Sequence, residues 1–363
     1  MTEAAPLPIN GMAITARVCV TCLGRGREAH LAAMRAGSCG LTPCDYADVD
    51  VPCFIGRVAG IEDDAFPRHL RAFDNRAARL ALAALAADGF AQHVRAACAR
   101  FGRHRVGLVL GTSTSGIERL ERVYRARRAD APLASDYSMR HHNDYHAVTS
   151  FLFEHLGLGG PGYTVSTACS SSAKAIVDAT QLIQAGLCDA VLAGGVDSLC
   201  MTSLCGFDAL ELVARAPCRP CDTGRDGLSV GEGAGFVLIE RGGDGPRLAG
   251  FGETSDAVSM STPPPDGAGA AAAMRRALAR AGLAPEAIGL VKLHGTATPA
   301  NDAAECAAVA EIFGQTVPAA SLKGMIGHTL GAAGAVEAVM CLDAMEAGIL
   351  PANVGLETQD PAI

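Results

Sequence analysis

Three residues of this chain have the types and settings for nucleophilic catalysis. Cys169 lies in Ala168-Cys169-Ser170-Ser171-Ser172, between a strand-like stretch, Tyr163–Thr167, and a helix-like one from Lys174 onward. A strand-to-helix turn sets a side chain beside free backbone N–H groups at the positive end of a helix dipole. That setting favours the thiolate, the nucleophilic form of cysteine. His294 follows the apolar run Leu290–Leu293 directly and precedes Gly295. His328 ends Ser321-Leu322-Lys323-Gly324-Met325-Ile326-Gly327-His328, just before Gly331-Ala332-Ala333-Gly334. Strand ends and their loops are where α/β proteins build sites, and a histidine beside glycine has little packing reason to be there.

Other reactive groups read as structural. His141, His142 and His146 have helical spacing but only Asp144 nearby, so a solvated loop or an interface is expected rather than a metal centre. Cys218 and Cys221 have no second pair at zinc-ligand spacing and read as small core residues. Asp222, Arg225, Asp226 and Glu232, set among glycines, read as a hydrogen-bonded loop. No metal or cofactor is expected.

The elements that must position the site follow from apolar periodicity. Runs bounded by glycine recur at Val106–Gly111, Ala190–Gly195, Gly235–Ile239 and Leu290–Leu293, and suit strands buried on both faces. Between them lie alanine-rich helical stretches at Arg76–Ala87, Lys174–Gly186, Ala268–Ala281, Asp302–Ile312 and Ala332–Ala347. Alternation of this kind indicates an α/β protein. Arg241–Pro246 is the best boundary, giving halves 1–245 and 246–363, and Ser261–Gly267 is a loop by its consecutive prolines.

Composition narrows the class. The chain has 363 residues, 49% hydrophobic and 19% charged, with a net charge of −8, which argues against nucleic-acid binding. No apolar run approaches the ~20 residues needed to span a bilayer, and the N-terminus lacks a basic region followed by an apolar stretch. The fourteen cysteines are scattered, as in a reducing, cytoplasmic setting.

Four segments together resemble an elongating β-ketoacyl-acyl-carrier-protein synthase of the thiolase-like superfamily: Thr167–Ile176, Cys221–Gly235, His294–Asp302 and Ser321–Val339. The resemblance implies a five-layered αβαβα fold built from two similar halves, and usually a dimer. It makes Cys169 the acylated nucleophile and His294 with His328 the pair serving decarboxylation. Lys323 would support His328, and Glu337 would join the same polar network. The implied reaction is a decarboxylative Claisen condensation with malonyl-loaded acyl carrier protein, in fatty-acid, polyketide or aryl-polyene biosynthesis. Its chemistry fits these residues: a thiolate holds the acyl chain, and two neutral histidines stabilise the enolate left when carbon dioxide departs. A degrading thiolase would carry a second catalytic cysteine, and Cys341 falls mid-helix; an initiating synthase would pair its cysteine with His and Asn.

An acidic carrier needs a local basic face. Arg68, Arg71, Arg76 and Arg79 form one cluster, and Arg119, Arg122, Arg125, Arg127 and Arg128 another; Arg68, Arg71, Arg125 and Arg128 are the docking candidates. The chain departs from the family pattern at Ala13–Cys22, which lacks a glycine-rich opening turn. The family also continues past a segment like Ile349–Asn353 into final strands and a Gly-Phe-Gly-Gly loop, so a C-terminal half without them, and lower activity alone, are expected. The rival reading is a non-catalytic partner subunit equivalent to a chain-length factor, although such partners lose the cysteine.

Overall fold

The computed structural model describes residues 12–46, 49–128, 131–259 and 262–363. The N-terminal decapeptide, and Ser261 of the Ser261–Gly267 loop, lie outside the described residues.

The main sheet has six strands in the order β2-β1-β9-β7-β5-β6: β1 Met12–Thr21, β2 Gly24–Arg25, β5 Val106–Gly111, β6 Gly162–Val165, β7 Ala190–Asp197 and β9 Gly233–Arg241. β5 runs parallel to β6 and β7, whereas β9 is antiparallel to both β7 and β1. Alternate residues feed opposite cores, as a pleat with period two requires. Val106, Leu108, Leu110, Leu192, Val196 and Phe236 face helices α2 (Arg76–Ala86), α3 (Phe90–Phe101) and α5 (Ala147–Leu156). Val109, Val191, Ala193 and Val237 face α6 (Ser171–Gln184) and α11 (Ala333–Glu346).

Beyond α6 and α11 lies a second, two-stranded parallel sheet, β10 (Val291–Lys292) and β11 (Ala319–Ala320), covered by α8 (Ala268–Ala281) and α9 (Pro299–Phe313) through Met274, Val309 and Phe313. The layers therefore run α-β-α-β-α, the thiolase-like arrangement. The remaining elements are α1 (Arg27–Ala36), α4 (Ile117–Ala126), α7 (Met201–Ala209), α10 (Lys323–Ile326) and a small sheet of β3 (Thr42–Pro43), β4 (Phe54–Gly56) and β8 (Val230–Gly231). Among the described residues, no helix is long and apolar enough to cross a membrane.

Two boundaries differ from expectation in ways that matter to the site. The strand expected through Thr167 stops at Val165, and the helix expected from Lys174 begins at Ser171, so the turn holding Cys169 is short. The helix start fits because small residues allow close approach: a Cβ on Gly111 would lie 2.3 Å from Ser172 N, and one on Gly235 would lie 2.6 Å from Val336 N. Both glycines let α6 and α11 sit against the sheet. Glu232 and Arg76 pin the same region from the side. The Glu232 carboxylate, fully buried, accepts from Val58 N at 2.8 Å, Leu199 N at 3.0 Å and the Arg76 guanidinium at 2.5 and 2.7 Å.

Candidate active site

Cys169 stands where β6 turns into α6. Ala168 before it has φ +53°, a left-handed conformation that costs a non-glycine residue energy and turns the chain sharply. The turn is fastened locally: Ser171 Oγ donates to Ala168 O at 2.6 Å, and Ser170 Oγ to Thr167 O at 2.7 Å. Two further loops reach the same point, and each carries a left-handed non-glycine residue, Ala297 (φ +67°) after His294 and Leu330 (φ +52°) after His328.

The three loops converge. His328 Nε2 lies 2.9 Å from Cys169 Sγ, and the His294 and His328 rings stand edge to face, centroids 5.1 Å apart at 86°. Lys323, fully buried, donates to His294 O at 2.6 Å and Glu337 Oε1 at 2.7 Å, and sits 3.5 Å from His294 Nδ1. Lys292 closes on the other Glu337 oxygen. Lys323 therefore fastens His294, which corrects the expectation that its partner is His328. An ammonium can only donate, so it leaves His294 Nδ1 as acceptor and the proton on Nε2. His294 is thus a fixed donor toward the site. Among the described residues His328 Nδ1 is buried without a hydrogen-bond partner, so the ring is engaged through Nε2 alone, by Cys169.

Electrostatics follow from burial. Desolvation, then Lys323, drives His294 well below the ordinary histidine value, and the same causes in the same order hold His328 down to about 3. Both rings are neutral at neutral pH. Burial also pushes the Cys169 thiol up, against the pull of Lys323 and a backbone N–H. The expected thiolate is thus not the resting form: loss of water outweighs the helix end, and His328 Nε2 is the acceptor within reach of the thiol.

The buried imidazoles carry a consequence for stability. His328 returns to about 6.5 on unfolding, so below that value the unfolded chain binds the extra proton. Stability should fall as pH drops from about 6.5 toward 3, with a slope approaching about 1.4 kcal/mol per pH unit for one such group. Urea titrations across this range should show a flatter slope for His328→Asn. Equal slopes in the two proteins would mean that His328 is not held neutral.

The loops are pinned by carboxylates that sequence reasoning passed over. Glu305 accepts from His294 N at 2.5 Å and Gly295 N at 2.8 Å, and Asp302 from Ala297 N at 3.1 Å and Cys221 N at 2.9 Å. Their spacing in the first turns of α9, directly after the histidine motif, was the available signal. Asp197 at the end of β7 is fully buried and gathers Thr112 Oγ1, the N–H groups of Ser113 and Thr114, and Gly331 N, all within 2.6–3.0 Å. Nothing in the sequence pattern marked it, because its partners are distant in the chain.

Comparison with known proteins agrees with this geometry. Residues 10–244 match the β-ketoacyl synthase N-terminal domain and residues 247–357 the β-ketoacyl synthase C-terminal domain. The chain belongs to the β-ketoacyl synthase family. Similar sequences include the mitochondrial 3-oxoacyl-[acyl-carrier-protein] synthase of Arabidopsis thaliana, 37% identical over 56% of this chain and 49% of that protein. Nodulation protein E of Rhizobium leguminosarum bv. trifolii is 31% identical over 90% of this chain and 84% of its own length. The chain thus spans about half of the plant synthase. Among solved structures, the ketosynthase ApeO in complex with its chain length factor ApeC, from Xenorhabdus doucetiae, superposes with TM-score 0.87 at 34% identity, covering 96% of this chain and 91% of that one. A β-ketoacyl synthase from Burkholderia phymatum gives 0.85 at 29% identity over 97% and 90%.

Arg68 and Arg71 are exposed, but Arg76 and Arg79 are spent on Glu232 and Asp74, which removes them from the basic face. Arg119 and Arg122 are paired with Asp136 and Glu118, and Arg127 donates to Ala131 O, whereas exposed Arg125 reaches Met201 Sδ at 2.9 Å; Arg128 is exposed too. His142 Nδ1 accepts from Ser138 N, and His146 bonds Thr164. Cys218 donates to Lys323 O at 3.2 Å, and Asp222 accepts from Gly224, Glu357 and Thr358 N–H groups. Cys169, His294 and His328 offer ligand atoms within 4.8 Å of one another. Lys323 holding the His294 proton on Nε2 makes that edge a donor to oxygen rather than a lone pair for a metal.

Proposed function

We propose that this ketosynthase catalyses decarboxylative Claisen condensation of an acyl chain held on Cys169 with a malonyl unit delivered on acyl carrier protein. The observation that carries the reading is Cys169 Sγ at 2.9 Å from a neutral histidine beside a second, donor-fixed one. His328 takes the thiol proton as Cys169 attacks the acyl thioester, and the carrier thiol leaves with a proton. The malonyl carbonyl oxygen then sits against the two imidazoles, which stabilise the enolate formed as carbon dioxide is lost. The enolate carbon attacks the Cys169 thioester, the Cys169 backbone N–H serves the oxyanion, and Cys169 leaves as a thiolate that takes a proton from water. Intact mass after incubation with acyl-loaded carrier tests the reading: an acyl addition on Cys169 supports a condensing enzyme, and an unmodified chain overturns it.

The match to a ketosynthase solved with its chain length factor supports pairing with a ketosynthase-like partner, and retention of Cys169 supports this chain as the catalytic member. A reducing, cytoplasmic location fits fourteen free cysteines. Arg68 and Arg71, exposed and outside the ion pairs formed among the described residues, are proposed to contact the acidic carrier. Arg68→Glu with Arg71→Glu should raise the KM for carrier-bound substrate several-fold and weaken its salt dependence, leaving kcat nearly constant. Unchanged kinetics with carrier substrates would remove them from the docking face.

A further inference from the structure

A cavity of about 470 Å³ opens above Cys169, and its two walls come from different elements. One wall is Ser113 and Thr114, in the segment leading into α4. The other is Thr202, Ser203, Gly206 and Phe207 of α7, followed by Leu210. α7 is anchored by packing through Leu204, which is buried, and Phe207, which is partly buried against the same core, both beyond its first turn. Its N-terminus is instead held by a carboxylate from α4. Glu121 Oε2 accepts from Met201 N at 2.9 Å, and Oε1 accepts from Thr202 N at 2.7 Å and Thr202 Oγ1 at 2.6 Å. Glu121 is about nine-tenths buried, so these bonds are shielded from water. The next N–H of α7, on Ser203, goes to Cys200 Sγ at the longer distance of 3.4 Å.

The far wall is rigid by comparison. Thr114 is bound to Asp197 through both its N–H and its hydroxyl, at 2.8 Å each, and Asp197 is fully buried. One carboxylate thus fixes the near wall to the helix that continues the far wall, and the gap between them is the space above the nucleophile.

We propose that Glu121 is a positioning residue that sets acyl-chain selectivity, by clamping α7 to α4 and so fixing the width of the cavity above Cys169. The inference rests on the condensing function proposed above. Glu121 touches neither the nucleophile nor the histidines, so it acts on which acyl group fits and not on decarboxylation. Losing a cap of this kind allows α7 to shift and the cavity to admit acyl groups that the clamped wall excludes.

The test compares the intact chain with Glu121→Ala and Glu121→Gln. Cys169 loading is followed by intact mass with butanoyl, octanoyl and dodecanoyl thioesters of acyl carrier protein, and carbon dioxide release is followed separately with malonyl-loaded carrier. The ratio of best to worst acyl donor should fall roughly tenfold in Glu121→Ala. In Glu121→Gln it should fall by less, since the amide oxygen keeps the Thr202 bonds while its NH₂ faces Met201 N. Carbon dioxide release should stay within about twofold of the parent in both, because the clamp lies off the imidazoles. If Glu121→Ala does not fold, the Gln variant decides. Wild-type acyl profiles in the variants, or loading and decarboxylation falling by one common factor, would overturn the inference. A parent chain that accepts no acyl group overturns the condensing function and this inference with it.

Discussion

Replacing Cys169 by Ser should abolish acyl loading and condensation, by a factor on the order of 10⁶ if the loss matches that of other nucleophile deletions. The buried setting makes the expectation sharper than for an exposed cysteine. Burial already raises the thiol, and an alcohol at the same place is a far weaker acid, so His328 could not draw its proton at any useful rate. Decarboxylation of the malonyl unit uses the imidazoles and should persist in this variant. Intact mass and carbon dioxide release together check both halves: an acyl adduct on Cys169→Ser would place the nucleophile elsewhere.

The two histidines should separate. His294→Ala removes a donor held in one tautomer by Lys323 and should lower decarboxylation by roughly 10²–10³ while Cys169 still loads. His328→Ala removes the group in contact with the thiol and should slow both loading and decarboxylation. Loading is read by mass and decarboxylation by carbon dioxide release. If His328→Ala loads at the parent rate, the thiol is not activated through that ring.

Much of this site was legible because its chemistry is written in short runs. Cys169 marks a strand-to-helix turn, His294 precedes a glycine at the end of an apolar strand, and Lys323 and His328 lie in one glycine-rich run, and sites at strand ends are a property of α/β sheets. The fold was legible for the same reason, since Val106–Gly111 and Ala190–Asp197 are apolar on both faces. What local pattern could not carry was pairing across the chain. The allegiance of Lys323 to His294, the spending of Arg76 on Glu232, and the Asp197 anchor all depend on residues far apart in sequence. The Cys169 thiol went astray for a related reason. A helix end is visible in sequence, whereas the water it loses on burial is not.

The place of β1 in the main sheet bears on how the chain is made. Met12 pairs with Arg241 and Val20 with Ala234, so β1 waits for β9, the last strand of the main sheet in chain order. Until β9 is translated, β1 has only the two-residue β2 beside it in the sheet, and the edge that β9 covers stays open. Translation at about 5–20 residues per second makes that wait many seconds long. An apolar strand with an open edge over such an interval is a natural ligand for a holding chaperone, and the nascent chain should depend on one most strongly before Gly233 emerges.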